Sequence, residues 1–195
     1  MKKPLIVILL VLFLDQFSKI LVKTTMAVGE AIPVLGKWFY ILFVENNGMA
    51  FGWEISGAQW GKIFLSVFRV AAVVFLFWLL FKLVKKGVKF GPLFGISLLI
   101  AGALGNIIDG MFYGLIFDYA GFLQGKVVDM LYFPLFTFPE WVPFFGGEIF
   151  FSPVFNIADS AITIGILYLI IFQWSFIRHF ESILGIERKE NGERD

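Results

Sequence analysis

Four apolar runs dominate the hydropathy pattern of the chain, at residues 4–22, 62–84, 92–111 and 155–176. Each is close to or above the roughly 20 residues that a helix needs to cross a bilayer. The polar residues that stand out inside the runs are Asp15 and Lys19 in the first, Arg69 in the second, Asn106 and Asp109 in the third, and Asn156 and Asp159 in the fourth. Lys2 and Lys3 give the first run the look of a signal peptide. It is nevertheless too long, is interrupted by Asp15 and Lys19, and is not followed by a small-residue cleavage site, so it reads as a retained helix. Between the first two runs, residues 36–45 are aromatic and β-branched, which predicts a strand, and Asn46-Asn47-Gly48 is a hairpin-turn signal. A small sheet at the membrane surface is expected over about residues 36–52. Trp53 and Trp60 suit an interfacial aromatic belt. Residues 112–153 carry Pro134, Pro139 and Pro143 among many aromatics and are expected as an extended outer loop, against the bilayer or over the helices. No internal repeat is evident. The predicted architecture is one integral-membrane domain over residues 1–195: a four-transmembrane-helix bundle with a small extracytoplasmic β-sheet.

Charge adds an orientation. Lys2 and Lys3, then Lys82, Lys85, Lys86 and Lys89, then Arg178, Arg188, Lys189 and Arg194 all fall on one side of a four-span chain. Basic residues mark the cytoplasmic side, so both termini are expected in the cytoplasm. The outer connections hold fewer basic residues (Lys23, Lys37, Lys126) and several acids, among them Glu45 and Asp118. Composition agrees with a membrane protein, at 59% hydrophobic with 26 phenylalanines against roughly 45–50% apolar in soluble domains. A net charge of +1 argues against a nucleic-acid partner. With no cysteine and with His179 as the one histidine, beyond the last apolar run, thiolate, Ser-His-Asp and His-Glu-x-x-His zinc chemistry are excluded. No metal or cofactor is expected. Carboxylates, lysines and hydroxyls remain.

With this orientation the carboxylates gather outward. Asp15 lies eleven residues past Pro4, roughly 16 Å along the helix at 1.5 Å per residue, and Asp109 and Asp159 lie near the outer ends of their runs. Asp129 sits on the connection between them. An ionisable residue at such a place is costly and marks a functional site by default. Lys19 shares a helix face with Asp15, either as a neutralised pair or as part of a site. Asn106 precedes Asp109 by three residues, and Asn156 precedes Asp159 by three, so each amide can face its carboxylate; Asn156 can equally serve as an N-cap. Arg69 reads as a cation that snorkels outward. Gly102 and Gly105 read as packing residues that let helices approach. Two adjacent carboxyls cannot both ionise easily, which suits peptide hydrolysis: the charged one takes a proton from water and the protonated one donates to the scissile carbonyl.

Five ordered segments carry a resemblance: Asp15-Gln16-Phe17-Ser18-Lys19, Asn46-Asn47-Gly48-Met49-Ala50-Phe51, Gly102-Ala103-Leu104-Gly105-Asn106-Ile107-Ile108-Asp109, Val127-Val128-Asp129 and Phe155-Asn156-Ile157-Ala158-Asp159-Ser160. Nearly end to end, the chain resembles lipoprotein signal peptidase, the bacterial signal peptidase II. The resemblance implies an aspartic endopeptidase of the bacterial cytoplasmic (inner) membrane, with its site near the extracytoplasmic face and Asp129 and Asp159 as the catalytic dyad. It implies that Asp15, Lys19, Asn46, Gly48, Gly102, Asn106 and Asn156 line or support the site and that Asp109 is structural. The implied substrate is a prolipoprotein bearing a diacylglyceryl group on a cysteine, cleaved just before that cysteine; the β-rich connection becomes a cradle over it, membrane lipids surround it, and inhibition by globomycin is implied as well. A monomer is expected, because one chain holds every site residue.

Two departures accompany the resemblance. The family often places arginine after the Asn-x-x-Asp of the third span, where this chain has Gly110; Lys126 is one candidate replacement. Nineteen residues separate Asp109 from Asp129, a longer connection than usual, which with residues 133–153 predicts an enlarged outer region that gates lipid entry or restricts substrates. The rival reading is a proton- or ion-coupled transporter, since intramembrane aspartates serve as relays; such sites favour the midplane between inverted repeats.

Overall fold

The computed structural model describes residues 1–47 and 58–185. Gly48, the remainder of its motif through Phe51, Trp53, Arg188, Lys189 and Arg194 lie outside the described residues. Helix α1 (Lys2–Thr25) is followed by strands β1 (Ala31–Leu35) and β2 (Phe39–Asn46), then by α2 (Ala58–Lys85) and α3 (Phe90–Ile108). The third helix continues through a π-helical turn, Asp109–Tyr113, into the short α4 (Gly114–Ile116). Strands β3 (Val127–Tyr132), β4 (Phe136–Thr137), β5 (Ile149–Phe150) and β6 (Val154–Phe155) come next, and α5 (Ile157–Phe172), α6 (Trp174–Arg178) and α7 (Phe180–Leu184) close the chain. This is a membrane protein with several apolar helices and a small antiparallel sheet. Among the described residues, Lys2–Thr25, Ser66–Lys85 and Phe90–Ile116 are long and apolar enough to cross a bilayer.

The run expected at residues 155–176 is shorter as a helix. It begins at Ile157 and stops at Phe172, 16 residues in all, with Gln173 breaking it before α6. At 1.5 Å per residue α5 rises about 24 Å, less than the roughly 30 Å hydrocarbon core. Its entry is set by Asn156, which caps the helix and displaces Phe155 into β6.

Helix α3 sits at the centre, packed against α1, α2 and α5. Small residues make that position possible. A side chain at Gly102 would strike the Ala158 carbonyl and Ile162 of α5, and one at Gly105 would strike the Asp15 carboxylate. Ile8 of α1, Leu79, Leu80 and Leu83 of α2, and Leu93, Ile96 and Ile100 of α3 form one apolar core. The outward faces remain apolar and exposed, including Leu9 and Phe13 of α1, Phe68 and Phe75 of α2 and Ile171 of α5, as a lipid-facing surface requires. The basic ends of the helices come together: Lys3 lies 5.8 Å from the Phe90 ring, and Lys86 Nζ donates to the Ile183 carbonyl at 2.5 Å.

At the opposite end the four-stranded sheet has the order β1-β2-β3-β6, antiparallel throughout. The strand expected over residues 36–45 starts later, because Gly36 adopts φ +55° and Trp38 N–H closes a turn onto the Leu35 carbonyl at 3.3 Å. Its partner, β1, contains Pro33, which the sheet tolerates because β1 is an edge. The expected outer loop is also partly ordered as strands, and β3 carries Asp129 on its buried stretch. Val22, Phe43, Tyr113, Val128 and Met130 form a second core that seals the sheet onto the ends of α1 and α3. Phe136 and Phe150 of the separate β4–β5 hairpin stack at 4.8 Å.

The close α3–α5 approach yields a first prediction. Gly102→Val should lower stability by about 1–3 kcal/mol, the usual cost of overpacking, whereas Gly110→Ala should be neutral, because a side chain there meets nothing within 4 Å. Thermal unfolding of both variants in one detergent checks the contrast.

Candidate active site

The site lies where the C-terminal ends of α1 and α3 and the N-terminal end of α5 meet strands β2 and β3. Its foundation is Lys19, fully buried, whose Nζ is 2.9 Å from Asp15 Oδ2 and 2.8 Å from Asp109 Oδ2 and donates to Asn106 Oδ1 at 2.9 Å. These partners use all three ammonium protons. Asp15 also accepts from the Ala158 N–H through Oδ1 at 2.8 Å, tying α1 to the first turn of α5. Asp109 accepts from Gln16 Nε2 at 2.9 Å and, more weakly, from the Val128 N–H at 3.3 Å, tying α3 to β3. Asp15 and Lys19 thus belong to a larger polar cluster rather than standing as an isolated pair.

Asn156 links the two candidate catalytic residues. Its Oδ1 accepts from the Asp159 N–H at 2.9 Å, and its own N–H donates to Asp159 Oδ2 at 3.3 Å, a reciprocal capping box. The Asn156 Nδ2 group donates to Asp129 Oδ1 at 2.7 Å and also contacts Asn106 Oδ1 at 3.2 Å and the Val128 carbonyl at 3.3 Å. Asn106 Nδ2 donates to Asp159 Oδ1 at 2.8 Å, completing the ring of amides and carboxylates. From β2, Asn46 Nδ2 donates to Asp129 Oδ2 at 3.0 Å. Register explains that reach: Val44 pairs with Asp129 and Asn46 with Val127, so Asn46 and Asp129 are diagonal neighbours on one face.

Burial is the main force on Asp129 and raises its carboxyl to about 6, with the nearby Asp159 charge adding to the rise while the Asn46 and Asn156 donors oppose it. Among the described residues every buried side-chain nitrogen and oxygen has a hydrogen-bond partner, and no group of three or more His, Cys, Asp or Glu side chains is placed to hold a metal.

The structure thus brings Asp15, Lys19, Asn46, Asn106, Asp109, Asp129, Asn156 and Asp159 together, with Gly102 one turn below. Gly48 lies outside the described residues. The long approach to Asp129 does not push it away: the connection folds back on the end of α3, with Gly125 N–H on the Gly110 carbonyl at 2.9 Å and Leu123 N–H on the Met111 carbonyl at 3.2 Å. Lys126 does not take up the place beside Gly110. Its Nζ meets Glu45 Oε2 at 2.8 Å, while Lys23 holds Oε1 at 2.5 Å. Burial alone would raise the Glu45 carboxyl, but the hydrogen bonds from Lys126 and Lys23 outweigh it and hold the group below its ordinary value.

Two residues were not legible as site members. Gln16, pointing from α1 to Asp109, also accepts from the Tyr113 hydroxyl at 3.2 Å; its place beside Asp15 in the first motif was its one signal. Arg69, read from the sequence as a cation that snorkels outward, is half-buried and lines a narrow cleft with Ser66, Asn106, Ile107, Gly110 and Met111.

Comparison with known proteins decides the family. The sequence profile described as signal peptidase (SPase) II matches residues 7–175. The chain belongs to the signal peptidase II family. It is 48% identical to the lipoprotein signal peptidase of Porphyromonas gingivalis, over 84% of this chain and 79% of that one. The lipoprotein signal peptidase of Amoebophilus asiaticus is 35% identical over 84% and 74% of the two chains. A bacterial membrane enzyme solved by the in meso method at 2.3 Å superposes with a TM-score of 0.62 at 27% identity, covering all of this chain and 96% of that one. A second, at 1.9 Å, gives 0.60 at 30% identity over 88% and 92%. The family implies a peptidase that acts on lipoprotein precursors in membranes.

The dependence of the cluster on one ammonium makes a second prediction. Lys19→Met removes the cation between two buried carboxylates and should cost about 3–5 kcal/mol, the usual penalty for breaking a buried pair from one side. A fall in thermal midpoint well beyond that of the exposed control Lys2→Met checks it.

Proposed function

We propose that this protein is an aspartic endopeptidase that removes signal peptides from diacylglyceryl-modified prolipoproteins, cleaving before the lipidated cysteine with a water activated between Asp129 and Asp159. The observation that carries this reading is Asn156, which holds both carboxylates at once in a member of the signal peptidase II family. Asp129, raised to about 6, is suited to carry the shared proton and donate it to the scissile carbonyl. Asp159 takes the proton from water. Neither a covalent intermediate nor a cofactor enters this scheme. Asp15, Lys19, Asn46, Asn106, Asp109 and Asn156 hold the pair, and Gly102 lets α5 approach closely enough to present it.

The membrane placement that fits this chemistry has four spans, α5 continued by α6 being the fourth, with both termini in the cytoplasm and the dyad at the extracytoplasmic face of the inner membrane. The gathering of Lys3, Lys86 and the end of α7 at the pole opposite the dyad supports it. A helical substrate hides its backbone in internal hydrogen bonds, so the scissile segment is bound extended, beneath the sheet that acts as its cradle. The exposed aromatics of the β4–β5 insertion, with Trp141 81% and Phe144 95% accessible, suit the outer interfacial zone. One chain supplies the whole site, consistent with a monomer. A coupled transporter is not favoured, because the carboxylates gather at one pole and the family is a peptidase family.

Purified protein in detergent with a lipid-modified prolipoprotein tests the reading. Asp129→Asn and Asp159→Asn should each lower kcat/KM by more than about a thousandfold with the fold retained, as expected for groups that act as a unit. Near-normal turnover by either folded variant would refute the dyad.

The proton on Asp129 makes a pH prediction. Its value is raised above the ordinary carboxylate value, so the protonated form is present at low pH and is lost as pH rises through about 6. Because the rate needs that form, activity should fall on the alkaline side. Asn46→Leu removes a donor that favours the ionised carboxylate, so the descending limb of kcat/KM should move to higher pH. A limb that stays put or moves down contradicts this role for Asn46.

A further inference from the structure

The polar cluster carries more acid than its lysine can balance. Asp15 and Lys19 enter from α1, Asp109 from the end of α3, Asp129 from β3 and Asp159 from α5, and Lys19 is engaged with Asp15, Asp109 and Asn106. Surplus negative charge among apolar spans is costly. Helix α2 also approaches the cluster, and among its described residues the cation it brings there is Arg69. It occupies the cleft that also exposes Asn106, the amide that donates to Asp159. Ser66, one turn earlier on α2, is buried in the same cleft.

We infer that Arg69 is a positioning residue for the dyad: from the cleft beside Gly110 it offsets the surplus charge of the carboxylates and steadies the Asn106–Asp159 arm. This inference rests on the peptidase reading. Arginine suits the role because its guanidinium stays charged even where it is partly withdrawn from water. The role does not require the arginine to come from α2. Gly110 lines the same cleft, and a Cβ there meets nothing within 4 Å, so an arginine at position 110 in place of the one at 69 would start from the wall of that cleft.

The test compares three variants of the full chain in detergent, with prolipoprotein cleavage and thermal unfolding measured together. Arg69→Gln should lower kcat by about ten- to a hundredfold with KM nearly unchanged, the mark of an interaction made in the transition state. Arg69→Lys, which keeps the charge, should retain kcat within about threefold, a difference of under 1 kcal/mol in the barrier. Arg69→Gln combined with Gly110→Arg should recover at least half of the lost activity on a logarithmic scale. Wild-type kcat in Arg69→Gln overturns the inference. So does a loss in Arg69→Lys and in the double variant that matches Arg69→Gln, because packing alone then explains the residue. If Arg69→Gln fails to fold, Arg69→Lys decides by the same threefold criterion. The dyad variants separate the two ideas: inactive Asp129→Asn and Asp159→Asn beside an unaffected Arg69→Gln defeat this inference alone, whereas active dyad variants defeat the peptidase mechanism itself.

Discussion

The Lys19 ammonium is the interaction on which the rest of the site depends. It is a fully buried charge toward the C-terminal end of α1, and it is bearable there because two carboxylates and an amide oxygen replace its water. Buried pairs of this kind do little for net stability when set against well-packed apolar residues, yet removing one partner is severe. What the pair contributes is placement. Asp15, once held by Lys19, accepts from the Ala158 N–H and fixes the first turn of α5; Asp109, held by the same ammonium, accepts from the Val128 N–H and fixes β3. The two elements that carry Asp159 and Asp129 are therefore both registered against one cation.

Asn156 then carries that registration to the two aspartates themselves. As an N-cap it must sit in extended backbone just ahead of α5, and its capping box orients Asp159. The same side chain still has an amide group to spend on Asp129 and Asn106. A residue that only capped a helix would need an oxygen alone, and serine or aspartate would serve. Asparagine is required because oxygen and NH2 face opposite demands: the oxygen toward a helix N-terminus, the nitrogen toward a carboxylate.

Much of this was legible along the chain because helices convert spacing into faces. Asp15 with Lys19, and Asn156 with Asp159, follow from intervals of four and three residues, and the apolar runs located the helices within a few positions. Strands and turns were less legible. Val127-Val128-Asp129 stood out as a motif, but nothing local announced that it would pair with β2 in a register that sets Asn46 diagonal to Asp129. The turn at Gly36 was hidden because the aromatic pattern runs straight through it, and Pro33 disguised β1. Gln16 and Arg69 escaped for the same reason: their partners are far away in sequence, and neither spacing nor composition reports a contact between α1 and the π-helical turn, or between α2 and α3.

The long connection before β3 shows how such distant contacts are enforced. Gly125 approaches the end of α3 so closely that a side chain would strike the Asp109 carbonyl. The chain can thus fold back at the base of Asp109 itself, and the Gly125 N–H closes onto the Gly110 carbonyl. Extra length is spent in a turn beyond α4, away from the carboxylates, and β3 enters the sheet with Val128 against Asp109. The distance along the chain from Asp109 to Asp129 is therefore decoupled from their distance in space. An enlarged outer region can grow around this site, in that turn or in the β4–β5 hairpin, while the lysine-centred cluster keeps the two aspartates in register.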